Sequence, residues 1–194
     1  MKHRAFTLVE FIVVLAIIGI LVVMLLPVFR RGCEGGERAS SCQSNLKQIG
    51  LGLRQYAQDY DETYPPLAVA RSGYWAGGLQ PYVKGWQIFQ CPSATGKAPK
   101  TTDYFLNARL AAVPISQVAR PTSTLVAGDG NDDQLPLYHL SQLPVSWADT
   151  SGSPARRHCD RANYIFVDGH AKRIKPDVIT LDAPSKGAPT FLIR

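Results

Sequence analysis

The sequence predicts an α+β fold, and three observations carry that prediction: a long apolar segment near the start, an amphipathic segment with helical spacing behind it, and short β-rich pieces beyond residue 66. At 194 residues there is room for one ordinary domain with a sizeable core, so a multidomain enzyme or a long repeat array is excluded. Hydrophobic residues make up 45% of the chain while its mean hydropathy is only -0.06, so the apolar residues have to be concentrated. They are concentrated at the N-terminus.

From Phe11 to Leu26 nothing is more polar than Gly19, and with residues 6 to 10 in front the segment has the length of a helix that crosses a bilayer, about 20 residues. The basic start, Lys2, His3 and Arg4, places that end in the cytoplasm by the positive-inside rule, although Arg30 and Arg31 on the far side weaken the bias. A cleaved signal peptide fits poorly: the run is long, Glu10 interrupts its start, and no small-x-small site follows Leu26. A lipoprotein signal ending at Cys33 would want an apolar residue where Arg30 stands. An ordinary signal anchor leaves Glu10 unexplained, since a carboxylate near hydrocarbon costs about 2 to 3 kcal/mol and usually has a function.

Pro27 lacks an N–H and clashes with the preceding turn, so it is expected to kink or melt the helix near the membrane exit; a simple helix stop is the alternative. Gly32, Gly35 and Gly36 mark a break. Helical spacing then resumes, with Cys42, Leu46, Ile49, Leu53, Tyr56, Ala57 and Tyr60 at intervals that form an apolar stripe, Lys47, Gln48, Arg54 and Gln55 facing outward, and Pro65-Pro66 as terminator. Strands are predicted at Trp86 to Gln90, Asp103 to Leu106, Thr124 to Ala127 and Ala162 to Val167, with a last one at Thr190 to Ile193 after a loop from Ala183 to Pro189. The clearest hairpin runs from Ala162 to Ile174 around Asp168-Gly169, a dipeptide suited to a tight primed turn.

Ala5-Phe6-Thr7-Leu8-Val9-Glu10, followed by the apolar run and Pro27, resembles the N-terminal signal of type IV pilins and type II secretion pseudopilins. The resemblance implies that prepilin peptidase removes a leader by cutting between Ala5 and Phe6 and that the new Phe6 amino group is methylated. The family usually has Gly where this chain has Ala5. Ser41-Cys42-Gln43-Ser44-Asn45-Leu46, Cys91-Pro92-Ser93, and His158 nine residues before Asp168-Gly169 further resemble bacterial pseudopilin-like proteins named for a His-x9-Asp-Gly signature, which marks relatives without revealing a chemistry. A mature Phe6 ammonium would neutralise the Glu10 carboxylate of a neighbouring helix at low dielectric, so that Glu10 sets register between subunits.

Other residues invite chemical readings. Four cysteines, Cys33, Cys42, Cys91 and Cys159, lack zinc-finger spacing, and in an exported domain disulfides persist; with Cys33 by the membrane segment, Cys42 with Cys91 is the pairing expected, against buried free thiols. His158, Asp168 and His170, with Cys159, could converge on a metal site or a hydrolytic dyad, or simply brace the turn; no nucleophile elbow accompanies them. Asp129, Asn131 and Asp133 open like a calcium loop, but Gln134 and Leu140 exclude an EF-hand. A looser calcium site, which the resemblance to major pseudopilins supports, stands against a polar turn, and no other cofactor is expected. Tyr74, Trp75, Tyr82 and Trp86 read as packing rather than a stacking surface.

The formal charge is +6, and the first thirty-one residues carry half of it through Lys2, Arg4, Arg30 and Arg31 against Glu10. One basic strip remains: Arg156, Arg157, Arg161, Lys172, Arg173 and Lys175. It motivates an alternative, a DNA-binding minor pilin for DNA uptake. A membrane-anchored metal-binding or hydrolytic protein is the third reading.

The leading expectation is a non-enzymatic filament subunit of the bacterial inner membrane with its C-terminal part exported. Its partners would be prepilin peptidase, other pseudopilin subunits and an inner-membrane assembly platform rather than nucleic acid. Its expected organisation is leader 1–5, transmembrane and filament-core helix 6–29, hinge and amphipathic helix 30–66, and exported β-rich domain 67–194, the helix packing on a small antiparallel sheet as in pilins.

Overall fold

The computed structural model describes residues 8–30, 36–68, 74–94, 101–130, 139–180 and 187–193, with backbone alone for 24–30 and 36–37. The expected cleavage and methylation residues Ala5 and Phe6 lie outside the described residues, as do Gly32, Gly35, Asn131 and Asp133. Two compact units are present, Met1–Glu34 and Gly35–Arg194.

In the first unit, α1 spans Leu8–Arg30 and passes through Pro27, so the proline neither ends nor melts it. From Leu8 to Val23 every side chain is exposed, and the consecutive Phe11, Ile12, Val13, Val14 and Leu15 are each 44 to 58% exposed. Five successive residues at 100° apart cover the whole circumference, so α1 is apolar all round rather than amphipathic. Those sixteen residues rise about 24 Å, short of the ~30 Å hydrocarbon core. No helix of the described residues is long and apolar enough to cross a membrane; in the sequence the apolar run continues to Leu26.

The second unit opens with α2, Gly36–Asp59. Ala39, Cys42, Leu46, Ile49, Leu53, Tyr56 and Ala57 are buried along one face, as the spacing predicts. Tyr60 departs from it: at 53% exposure it stacks on the Tyr56 ring, centroids 4.2 Å apart, instead of entering the core. The helix also stops before Pro65. Asp61 and Glu62 take left-handed φ values of 51° and 54°, and the Glu62 N–H donates back to Ala57 O at 2.8 Å, closing the helix end ahead of the prolines.

Five strands follow: β1 Tyr104–Asn107, β2 Leu125–Asp129, β3 His139–Leu140, β4 Ala162–Phe166 and β5 Ala171–Ile174, in the order β3-β1-β2-β4-β5. All neighbours are antiparallel except β3, which runs parallel to β1, so the sheet is mixed rather than antiparallel. Two-residue β3 returns to the outer edge of β1 through a crossover instead of a hairpin, and that is what makes the pairing parallel.

Trp86–Phe89 is a 3-10 turn, not a strand. Its i,i+3 geometry eclipses Trp86 and Phe89, whose rings meet at 5.5 Å, and Phe89 meets Trp75 edge-on at 5.9 Å in the core beside α2. Among the described residues Thr190 makes single bridges, to Thr124 and Thr180, and no last strand is formed.

Pleat alternation sorts β4: Ile165 and Val167 enter the cluster around α2, while Ala162, Tyr164 and Phe166 join Phe105, Leu125, Ile174 and Phe191 in a second one. Both sheet faces are therefore covered. Helix α2 lies close to β4: a Cβ built on Gly50 would stand 2.0 Å from Ile165 Cδ1, so any larger residue there would have to displace the buried Ile165 side chain.

Candidate functional site

The His-x9-Asp-Gly signature spans β4, and its two ends are anchored separately to α2. At the first end, His158 is fully buried, its Nε2 3.2 Å from Asp129 Oδ2 and 3.5 Å from Cys91 Sγ. Cys91 is joined to Cys42 of α2 by a disulfide that closes a 49-residue separation. In the chain-entropy picture a loop of that length is worth about 4 kcal/mol. Cys159 is disulfide-bonded as well, and no cysteine among the described residues is free.

Neighbouring strands complete the cluster. The Asn163 N–H donates to Asp129 Oδ2 at 2.7 Å, the Cys91 N–H donates to Asp103 Oδ2 at 2.7 Å, and Arg157 Nη1 lies 3.9 Å from Asp129 Oδ1. Tyr104 borders the same space. Burial, and next the charge of Asp129, push its phenol well above the ordinary value.

His158 reaches this position through a tight turn, His158 N–H to Arg161 O at 2.8 Å, in which Cys159 and Asp160 both have left-handed φ, 59° and 57°. Paired left-handed residues are the mark of a primed turn. Asp168-Gly169, where the primed turn was predicted, is different: Gly169 alone is left-handed, with φ +94°, and its N–H donates to Phe166 O at 2.8 Å. The strained pair falls instead on residues with no glycine, beside the cluster and including the disulfide-bonded Cys159.

At the second end of β4, Arg54 of α2 grips the turn. Its Nη2 donates to Val167 O at 3.3 Å and to Asp168 O, and its guanidinium lies against Gly169. Asp168 Oδ1 accepts from the His170 N–H at 3.1 Å and faces His170 Nδ1 at 2.6 Å, while the His170 ring stacks on Phe166 at 4.1 Å. The rise along α2 from Cys42 to Arg54 is about 18 Å, close to the length of β4 with its flanking residue. The signature is thus a two-point clamp of strand to helix.

Several expected groupings change. His158 and the Asp168–His170 pair stand at opposite ends of β4, so they form no common metal or hydrolytic site. In the buried cluster a single nitrogen, Nε2, faces both Asp129 and Cys91, whereas a relay triad needs both ring nitrogens. Asp129, expected as a calcium ligand, points its carboxylate into the interior; its expected partners Asn131 and Asp133 are not among the described residues.

The matches to known proteins fall on the two units separately. The prokaryotic N-terminal methylation motif matches residues 1–26, and a family described as a protein of unknown function (DUF1559) matches residues 37–93. The chain is type IV pilin-like. No curated protein and no solved structure matches it. The methylation motif is typical of membrane-anchored pilins, and it implies processing by prepilin peptidase and assembly with other pilin subunits in general terms. The DUF1559 segment begins within α2 and ends just past Cys91, so it holds both cysteines of the disulfide.

In this pilin-like chain the predicted basic strip is divided. Arg156 pairs with Asp177 at 2.8 Å and donates to Ala148 O, and the Arg157 side chain is 5% exposed in the buried cluster. Arg161 and Arg173 line a polar surface concavity of about 420 Å³, and Lys172 and Lys175 are exposed. Two of the six cations are therefore committed to the fold. Sequence reasoning missed Asp103, Arg157, Asn163 and Arg54 as partners of the signature. Asp129 offered one usable signal: it closes the apolar strand Leu125-Val126-Ala127-Gly128, where an ionised side chain has to have a buried partner.

Proposed function

We propose that this protein is a pseudopilin-like subunit of a type II secretion or type IV pilus-like filament. In this reading prepilin peptidase cuts after Ala5, Phe6 is methylated, and the chain waits in the bacterial inner membrane with residues beyond α1 exported. An assembly platform in that membrane would then stack the subunits through α1. The role is structural rather than catalytic.

The observation that supports this most is the apolar surface of α1, exposed around its full circumference from Leu8 to Val23 with Glu10 in its first turn. Such a surface is unfavourable in water and calls for lipid or for other helices, each buried side chain of this kind contributing about 1.5 to 3 kcal/mol. Glu10 would pair with the amino terminus of a neighbouring subunit, which fixes the axial step. Asp129, Asn131 and Asp133 stay available to this proposal as a calcium loop only if Asp129 turns outward.

Cells expressing Glu10→Val should process the chain normally yet yield none of it in the sheared filament fraction, where the unaltered protein is recovered. Filaments assembled at normal yield from the variant would overturn the assembly role.

A further inference from the structure

The surroundings of the Cys42–Cys91 disulfide exceed what a disulfide requires. Aliphatic neighbours would bury it at no electrostatic cost, yet this one lies beside an imidazole and a carboxylate, and the carboxylate has a buried guanidinium 3.9 Å from it; taking an ion out of water costs several kcal/mol. The two Sγ atoms, a carboxylate oxygen of Asp129 and a ring nitrogen of His158 all lie within 4.8 Å of one another, and all four residues have no exposed surface. Asp129 Oδ1 is buried without a hydrogen-bond partner. The cluster is under-used by its oxidised form.

We propose that the reduced protein holds a zinc ion there, with Cys42, Cys91, Asp129 and His158 as its four ligands. A dithiol reductant first supplies two electrons: the Sγ–Sγ bond breaks, two thiols form, and the reductant leaves as its own disulfide. Zinc then displaces one proton from each thiol to solvent. His158 binds through Nε2 as a neutral imidazole with its proton on Nδ1, and Asp129 gives one oxygen. Two sulfurs, one nitrogen and one oxygen in a closed shell suit a tetrahedral structural zinc site and not magnesium or calcium.

Charge balance favours the exchange. Two thiolates and one carboxylate around a dication leave one negative charge, which the Arg157 guanidinium, 3.9 Å from Asp129, compensates. The oxidised cluster has the same sum, Asp129 against Arg157. One buried shell therefore accepts either a disulfide or zinc without an orphaned charge, and each excludes the other. Backbone contacts hold the ligands in both states, Asn163 N–H on Asp129 and Asp103 on the Cys91 N–H. The metal-bound form keeps α2 docked before oxidation, because binding to a site absent from the unfolded chain adds to folding free energy.

The test uses the full chain in detergent, reduced in denaturant and refolded anaerobically with Co2+ or Zn2+ alone. One Co2+ per chain with thiolate-to-cobalt absorption is expected, and none in the oxidised protein. X-ray absorption of the zinc form should find two sulfurs at about 2.3 Å and an imidazole at about 2.0 to 2.1 Å. His158→Gln, checked for folding in its oxidised form, should lower Co2+ affinity at least tenfold after reduction. A reduced chain that refolds without binding Co2+, one that stays unfolded with and without the metal, or a zinc shell lacking imidazole would each overturn the proposal.

Discussion

His158 Nε2 stands 3.2 Å from Asp129 Oδ2 with both side chains fully buried, and this contact ties the first residue of the signature to the central strand β2. Replacing His158 by Ala leaves the Asp129 carboxylate with Arg157 at 3.9 Å as its charged neighbour. Losing a hydrogen bond to a buried charged group costs about 1.5 to 3 kcal/mol. Urea unfolding of His158→Ala should show a loss of at least about 1.5 kcal/mol, and a change no larger than that of an ordinary surface substitution would refute the role given to this pair.

The close approach of α2 to β4 makes an opposite-sign prediction at Gly50. In an exposed helix, Gly→Ala gains about 1 kcal/mol. Here the added methyl would meet Ile165 Cδ1 at 2.0 Å, so Gly50→Ala should instead destabilise by about 1 to 3 kcal/mol. Adding Ile165→Val should recover part of the loss, and a double-mutant cycle by chemical denaturation measures that coupling.

Arg54 and Gly169 form the other end of the clamp. Gly169→Ala forces a side chain into φ +94° and brings its Cβ within 3.1 Å of the Arg54 guanidinium, and the expected cost is about 1 to 3 kcal/mol. Arg54→Met removes the contacts to Val167 O and Asp168 O and should cost about 1 kcal/mol. The two losses should not add, because removing the guanidinium relieves the clash; thermal melting of the single and double variants decides it.

Alkaline pH should weaken the fold. Tyr64 is pushed up to about 12 by burial, with the Arg54 charge opposing, and Tyr104 and Tyr164 are raised further by burial and the Asp129 charge. A raised phenol binds its proton more tightly in the folded state than in the unfolded one. Stability from these groups is thus complete below pH 10 and is lost as pH climbs through 10 to 12, by up to about 1.4 kcal/mol per pH unit for each. The urea midpoint should fall across that window while tyrosinate absorbance lags behind that of the unfolded chain.

The helices were legible in the sequence because each rests on a local pattern: an uninterrupted apolar run for α1, and a three-and-four spacing from Cys42 to Ala57 for α2. The strands Tyr104–Asn107, Leu125–Asp129 and Ala162–Phe166 were legible for the same reason. Trp86–Phe89 was not, since aromatic residues favour strands and 3-10 turns alike until a partner strand is known. The site was partly legible. Spacing marked His158 and Asp168-Gly169 as a unit, and the apolar strand before Asp129 called for a buried partner, but nothing local could reveal that the partner would be His158, 29 residues downstream. The basic strip misled for a related reason: adjacency in sequence did not show that Arg157 is buried beside Asp129 and that Arg156 is held by Asp177.

The central claim is that this chain enters a filament pathway through its N-terminus. Intact-mass and N-terminal peptide mass spectrometry of the protein from its native membrane tests it most directly. The account predicts a mature chain beginning at an N-methylated Phe6. A chain that retains Met1 to Ala5, or one cut beyond Leu26, would contradict it.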